Sequence, residues 1–294
     1  MNWRSLGDVL ISGVTIGSVY YIIALGFTLV YGVGRVLNLA YGSFFVWGAY
    51  VCWALTAGFA RLPVIVGGLI AVPLLFMLGV AVDRGVVNPL RKRPEFDFSV
   101  LLATLGLAMV LDNLALAIFG PRPKALPKFG EWRLELGGFV LSAQALIIIV
   151  FAGAFAVALA LFLQRTRTGM SIRAVAQDPT GARIVGIRLN RVYALTFGLS
   201  VALAAAGGIL LAQRFFITPL GGWSILVKAL IIAVAGGMGS LKGTLVAAFA
   251  LGMLEAFVGW QAGLLWVMPF WFGVLLAILL IRPHGLFGAA GRRV

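Results

Sequence analysis

The sequence has little of what a water-soluble or metal-binding protein needs. Only 11% of its 294 residues are charged and only nine are Asp or Glu, whereas 62% are hydrophobic. Soluble domains are about 45–50% apolar, so this composition excludes a soluble fold. Cys52 is the single cysteine, which excludes an intramolecular disulfide and a cysteine metal cluster.

Nucleotide-binding and ion-coupling patterns are missing as well. No stretch fits the phosphate loop G-x-x-x-x-G-K-[ST], because Gly239–Thr244 (GSLKGT) lacks the glycine spacing. Any ATP must therefore bind to another chain. Apart from Asp8 at the start of the first span, the predicted spans contain two acids, Asp112 and Glu255, which are too few for a proton or ion relay and fit satisfied packing groups equally well. We predict no catalytic residue, no metal site and no cofactor in this chain, which is not itself an enzyme.

The apolar residues form blocks of about 20, the length that crosses a hydrocarbon core of about 30 Å as a helix. A lipid-exposed backbone must satisfy its own hydrogen bonds, so the blocks predict helices. We expect an all-α, polytopic bundle of eight or nine spans in one transmembrane domain over residues 1–294. The predicted spans are Leu6–Val33, Ala40–Ala60, Leu62–Val82, Phe98–Phe119, Phe139–Leu163, Val192–Ala212, Ile225–Gly236, Thr244–Val258 and Leu264–Ile281.

The net charge of +14 comes from Lys and Arg between the apolar blocks, which favours membrane orientation over nucleic-acid binding. The most basic connections are residues 84–93 and 165–191, and they fall on one side if the spans alternate. That side is predicted to be cytoplasmic, together with a tail carrying Arg282, Arg292 and Arg293, which puts the N-terminus outside. Six tryptophans fall toward span ends as expected of interfacial anchors: Trp47, Trp53, Trp223, Trp260, Trp266 and Trp271.

The cytoplasmic loop 164–191 is too patterned for a simple tether. Asp178 before Pro179 predicts a helix N-cap with proline at the first position, and Gly186 suits a left-handed C-terminal cap. A two-turn helix over Pro179–Val185 is marginal alone, so another surface must pack on it. From the residues alone, that surface is either lipid head groups meeting the arginines or a partner protein.

Two glycine-rich breaks, Tyr31–Ser43 and Ala235–Thr244, interrupt the apolar pattern. Broken helices are the best sequence indication of a transport pathway, and tight cytoplasmic turns are the equally weighted alternative. The pathway hypothesis names polar and glycine positions that would contact solute: Asn38, Tyr41, Ser43, Asn113, Gly237, Gly239 and Ser240. Small-residue pairs four apart, such as Gly13 with Gly17, fit either internal packing or a second permease.

Four ordered stretches carry a family resemblance. They are Ile16–Tyr50, Asn88–Pro94 (NPLRKRP), Ser171–Ile187 (SIRAVAQDPTGARIVGI) and Lys228–Glu255. They resemble LivH-type permeases, the membrane subunits of branched-chain amino-acid ABC importers, over about residues 16–287. Tyr41 departs from the family, where many members have histidine, and Gly181 stands where a better helix former is expected.

The resemblance implies a fold like that of type II ABC importers and a subunit of the bacterial cytoplasmic membrane. The loop would then be a coupling helix seated in a separate ATPase, with these coupling residues: Arg173, Gln177, Asp178, Pro179, Arg183, Ile184 and Gly186. Expected partners are a LivM-type second permease, two cytoplasmic ATPase subunits, an extracytoplasmic solute-binding protein and membrane lipid, without nucleic acid. Branched-chain amino acids are the leading substrate; urea or short amides and aromatic acids are alternatives, and a stand-alone channel or ion-coupled carrier is the remote one.

Overall fold

The computed structural model describes residues 3–130, 132–136, 139–282 and 285–287. Within them, seven helices or helix pairs are long and apolar enough to cross a membrane: Gly7–Gly34, Val64–Leu90, Phe96–Phe119, Ala143–Arg165, Leu189–Leu211, Leu241–Gln261 and Leu264–Ile281. The chain is a multi-pass, all-α membrane protein, as its composition predicts. Arg292 and Arg293, which entered the orientation prediction, lie outside the described residues.

The helices follow the predicted runs. Their bounds are α1 Trp3–Gly34, α2 Tyr41–Trp53, α3 Val64–Val82, α4 Asn88–Leu90, α5 Phe96–Phe119, α6 Ala143–Arg165, α7 Arg167–Gln177, α8 Pro179–Ile184, α9 Leu189–Leu211, α10 Gly222–Gly236, α11 Leu241–Gln261 and α12 Val267–Ile281. Wider π-helical turns extend α2 through Ala54–Gly58 and join α3 to α4 through Asp83–Val87. Two of the apolar helices are short, α2 with 13 residues and α10 with 15, and each borders one of the predicted breaks.

One predicted span begins too early. Residues 139–142 form a strand, β2 (Phe139–Ser142), which pairs antiparallel with β1 (Arg133–Leu136). Helix α6 starts only at Ala143, where the Ser142 hydroxyl accepts a hydrogen bond from the Ala145 amide at 3.3 Å. The apolar run alone cannot show this boundary, because a short apolar strand and the first turn of a helix have the same composition.

Helix α1 is central in the bundle and packs against α6, α9, α10 and α11. Its glycines allow close approach: a Cβ on Gly13 would lie 2.9 Å from the Met253 Cα of α11, and one on Gly17 would lie 3.1 Å from the Phe249 Cα. Gly252 of α11 packs equally close, since its Cβ would lie 2.6 Å from the Gly17 Cα. The small-residue pair therefore serves internal packing.

The predicted basic segments meet at one end of the bundle. Arg91, after α4, donates a hydrogen bond of 3.3 Å to the carbonyl of Gly34 at the end of α1 and stacks 3.8 Å above the Tyr193 ring near the start of α9. Helices α7 and α8 precede α9, so they lie at this same end. We call it the loop end. The opposite end carries the β-hairpin and the residues after α9.

Candidate coupling and translocation sites

The helix after α6 is set by two local caps. The Thr166 hydroxyl accepts a hydrogen bond from the Gly169 amide at 2.9 Å and starts α7. Gly169 lies against the backbone of Phe162 and Leu163, which leaves no space for a side chain. Ile172 and Val175 are buried, whereas Arg173 and Gln177 are exposed. The loop is thus held against the bundle by one apolar face of α7 and presents a polar face outward.

The predicted two-turn helix is present as α8. The Asp178 carboxylate accepts a hydrogen bond from the Thr180 amide at 2.9 Å, and Pro179 takes the first helical position. At the other end Gly186 has φ of 86°, and two bonds close the cap: Gly186 N–H to Arg183 C=O and Ile187 N–H to Ala182 C=O, each 3.0 Å. This is a Schellman cap. The sequence prediction of this helix is confirmed, with its last helical residue at Ile184.

The glycine at position 181 has a local structural explanation. A Cβ there would lie 2.6 Å from the second oxygen of the Asp178 carboxylate, the group that caps the same helix. A glycine at this position therefore leaves room for the capping side chain. The poor helix former at position 181 is therefore part of the N-terminal cap of α8.

The outer face of α8 is unusually apolar for an exposed surface. Ile184 is 81% exposed and Val185 is 75% exposed, while Ala182 is buried beneath them. Arg183 and Asp178 are exposed beside this pair. The structure therefore brings together Asp178, Pro179, Arg183, Ile184 and Gly186 in one small knob at the loop end. Arg173 and Gln177 lie on the adjoining helix α7.

The first predicted break is a buried return of the chain. Helix α1 ends at Gly34, Arg35 takes φ of 50°, and residues 35–40 run back to the start of α2. The Asn38 side chain is fully buried, and its Oδ1 accepts a hydrogen bond from the Ala40 amide at 3.0 Å. Tyr41 reaches back to α1 and donates its hydroxyl proton to the Ile23 carbonyl at 2.6 Å. The break is not a surface turn.

The second predicted break is a tight turn between α10 and α11, which is the alternative that the sequence left open. Gly237 and Gly239 both have φ of 93°, a conformation that favours glycine. The Ser240 hydroxyl caps α11 by accepting a hydrogen bond from the Gly243 amide at 3.1 Å. Gly32 of α1 packs on this turn, because a Cβ there would lie 3.0 Å from the Gly239 Cα. The second break therefore lies beside the end of α1, close to where the first begins.

The predicted pathway residues do not form one group. Ser43 lies against α5, with its Oγ 3.5 Å from the Ala108 carbonyl, at the start of α2 with Asn38 and Tyr41. Gly237, Gly239 and Ser240 form the other turn. Asn113 lies on an exposed face of α5 and satisfies itself by donating 2.7 Å to the Met109 carbonyl. Asn113 is thus separate from both breaks.

The structure contains a buried charged cluster that was not predicted from the sequence. Lys228 of α10 lies 2.8 Å from Glu255 of α11 and donates 2.6 Å to the Tyr20 hydroxyl of α1. Tyr20 in turn donates to the other Glu255 oxygen at 2.7 Å, and Trp271 of α12 donates to that oxygen at 2.8 Å. Four helices are joined at this point. The sequence signal was a lysine within an apolar span, since such a charge needs a partner in the bundle.

Trp271 corrects the prediction of interfacial anchors. It is fully buried rather than placed at a lipid surface, and its ring meets Tyr20 edge to face at 5.6 Å. Position near the end of a run does not fix which side of a helix a residue occupies. Its indole N–H serves the Glu255 carboxylate instead of the membrane interface.

Arg91 fixes the loop end. Besides its bond to Gly34, its guanidinium lies 3.8 Å from the Asp83 carboxylate and 5.1 Å above the Phe96 ring. Burial lowers the pKa of Arg91 from its ordinary value, and the nearby Asp83 carboxylate opposes that effect. The arginine of the NPLRKRP stretch therefore joins the ends of α1, α4, α5 and α9.

Comparisons with known proteins agree with this architecture. The family model described as "Branched-chain amino acid transport system / permease component" matches residues 9–282. The chain is 31% identical to the BraD permease protein of Pseudomonas aeruginosa, over 95% of this chain and 94% of BraD. It is 32% identical to the LivH permease protein of Escherichia coli K12, over 94% of each chain. Both are named high-affinity branched-chain amino acid transport system permease proteins.

The fold also has a solved counterpart. The structure of PsaBC from Streptococcus pneumoniae in complex with Fab matches with a TM-score of 0.50 and 16% identity, over 97% of this chain and 95% of that chain. At this identity the likeness shows the fold alone. The family model covers nearly the whole bundle, from α1 to the end of α12. The chain therefore belongs to the family of permease components of branched-chain amino acid transport systems.

Proposed function

We propose that this chain is a permease subunit of an ATP-driven importer that moves branched-chain amino acids across the bacterial cytoplasmic membrane. Membership of the permease family supports the transport role, and the names of BraD and LivH support this solute class. Urea or short amides are the runner-up solutes, and aromatic acids are a further alternative. The chain supplies the path, and ATP is hydrolysed by separate subunits.

The single observation that carries the proposal is the apolar knob on α8. An isolated helix of six residues is marginal, yet this one is capped at both ends and exposes Ile184 and Val185. Two adjacent, largely exposed aliphatic side chains flanked by Arg183 and Asp178 mark an interaction surface, and we assign it to the groove of a protein partner. We assign the groove to a cytoplasmic ATPase subunit, two of which would serve a pair of permeases.

The contacts of α8 indicate how a displacement of this helix would reach the rest of the bundle. Ala182 is buried where α8 packs on α7 and α9, and α9 continues for 23 residues, about 35 Å, to the opposite end of the bundle. A displacement of α8 by the ATPase would thus be carried through α9 to α1 and α2, which pack against it. Coupling requires a docking helix with two stable positions. A LivM-type permease and an extracytoplasmic solute-binding protein complete the proposed complex.

Uptake by the reconstituted complex tests the function. Proteoliposomes holding this chain, its second permease and the ATPase subunits, with binding protein outside and ATP inside, should accumulate labelled leucine. Excess isoleucine or valine should reduce that uptake, whereas urea and phenylalanine should not. If urea or phenylalanine competes and valine does not, the corresponding alternative solute replaces the branched-chain assignment.

A further inference from the structure

A cavity of about 580 Å³ lies between α1, α2, α9, α10, α11 and α12. This volume falls within the range of about 300–1,000 Å³ typical of small-molecule sites. Phe215 and Phe216, which follow α9, and Leu264, between α11 and α12, line it and are exposed. The cavity therefore opens at the end of the bundle opposite α7 and α8. It holds none of the residues that the sequence assigned to the pathway.

The polar floor of this cavity is the Lys228–Glu255 pair. Of three Lys228 N–H groups, Tyr20 and Glu255 occupy two. Glu255 accepts from Lys228, Tyr20 and Trp271, and a carboxylate has about four acceptor positions. One donor and one acceptor are thus left side by side, and both residues line the cavity.

The charges select for a ligand that carries both signs. A single ion would meet an equal charge of its own sign on this neutral pair, whereas a dipolar ligand can place each end on the opposite charge. At the rim, Arg214 donates 3.1 Å to the Ser12 hydroxyl, and both line the cavity. The positive charge of Arg214 favours a ligand whose carboxylate lies at the mouth of the cavity or next to Lys228.

The walls select for an apolar substituent. They are formed by aliphatic and thioether side chains from five helices: Ile16, Val46, Leu211, Ile225, Val267 and Met268. A dipolar floor beneath apolar walls is the complement of an amino acid with a hydrocarbon side chain. Leu211, at the end of α9, also connects this wall to the helix that begins beside α8.

We infer that this cavity binds the zwitterion of an apolar α-amino acid, with its ammonium on Glu255, its carboxylate on Lys228 and its side chain against the aliphatic walls. The site rests on the proposed function and locates the solute within it. It lies inside one permease subunit and is lined in part by α2 and α10, the two short helices that border the breaks. Solute there is in contact with α9, the helix that α8 would move.

Photolabelling tests the site directly. Photo-leucine, a diazirine analogue, is irradiated with the assembled complex in lipid nanodiscs without binding protein, and labelled peptides are mapped by mass spectrometry. Adducts should fall on cavity segments of α10 and α12, and leucine should compete for them. Isoamylamine lacks the carboxylate of leucine, and 4-methylpentanoate lacks its ammonium. Each should compete about tenfold less well than leucine, because each loses one charged hydrogen bond.

Two variants examine the floor and the space separately. Glu255→Gln should lower labelling about tenfold, whereas Asp112→Asn, which alters another buried acid bonded to a tryptophan, should not. Ser224→Phe fills the cavity with the ion pair intact and should abolish labelling, whereas its control Ser224→Ala should keep it. Size-exclusion profiles confirm that each variant is folded before labelling.

The outcomes separate the site from the function. Labelling confined to other segments, or equal labelling of wild type, Glu255→Gln and Ser224→Phe, would overturn the cavity assignment. If wild type still shows ATP-driven leucine uptake in that case, the proposed function stands and the solute passes elsewhere. If no leucine uptake occurs in the complete complex, the proposed function itself is contradicted.

Discussion

At the scale of single residues, Lys228 and Glu255 show how a charged pair is stabilised in an apolar bundle. Each ion is costly to bury, and this cost is offset because Tyr20 and Trp271 donate hydrogen bonds to Glu255 while Tyr20 accepts one from Lys228. Lys228→Met leaves Glu255 buried without its partner and should lower the free energy of unfolding by about 3–5 kcal/mol. Adding Glu255→Met should recover most of this loss, because no buried charge then remains.

Denaturant unfolding in detergent measures both variants of the pair. The expected order of stability is wild type close to the double variant, with Lys228→Met far below. A Lys228→Met protein as stable as wild type would mean that the pair is solvated in the membrane. The pair was missed in the sequence because its members are 27 residues apart on different helices. Helical periodicity says nothing about which face of a second helix meets the first.

Glycine contacts provide a second residue-scale prediction. Gly252→Ala places a methyl group against the Gly17 backbone of α1, which cannot move without shifting the helix. Overpacking of this kind costs about 1–3 kcal/mol. Gly273→Ala in α12 has open space around it and serves as the matched control. The melting temperature should fall for the first variant only; equal melting temperatures would show that α1 and α11 pack less tightly.

At the scale of elements, α8 was predictable because its signals are local. Asp178 and Pro179 start it and Gly186 ends it within nine residues, so no distant contact is needed. The first break was harder to predict, since a six-residue return through the core and a surface turn share the same polar and small residues. The β-hairpin after Arg133 was hidden by apolar composition that also suits a helix.

The C-terminal cap of α8 gives the element-scale prediction. Gly186 has φ of 86°, which a β-branched residue adopts only with strain, whereas asparagine tolerates it. Gly186→Val should therefore displace Ile184 and Val185 and leave ATPase activity uncoupled from leucine uptake, while Gly186→Asn should preserve coupling. The ratio of solute transported to ATP hydrolysed measures this. Equal ratios for both variants would contradict the role of α8.

The first break offers a further element-scale prediction. Asn38→Leu removes the acceptor of the Ala40 amide and leaves a buried N–H unsatisfied, which costs about 1–3 kcal/mol. Asn38→Ser keeps an uncharged oxygen that can accept from the amide two residues on and is the comparison. We expect Asn38→Leu to reduce leucine uptake at equal amounts of assembled complex. Intact transport and assembly in that variant would remove Asn38 from the pathway hypothesis.

At the scale of the whole molecule, the distribution of charge predicts orientation. The basic segments that carry Arg91 and α7–α8 share the loop end, so this end should face the cytoplasm. Cys52 is buried, so the wild-type chain should not react with a membrane-impermeant thiol reagent. In intact cells Arg122→Cys should react and Arg93→Cys, at the loop end but outside α8, should not, with both reacting after the membrane is opened. The reverse pattern would invert the topology.

The central claim is that this chain is a passive path whose transport depends on ATPases docked at α8. The most direct measurement is labelled leucine uptake into proteoliposomes that contain both permeases, with and without the ATPase subunits, at equal permease density. Accumulation against a gradient should require the ATPases and internal ATP and should be lost in Ile184→Asp, but kept in Ile184→Val. Equal accumulation without any ATPase would contradict the account and identify an independent carrier.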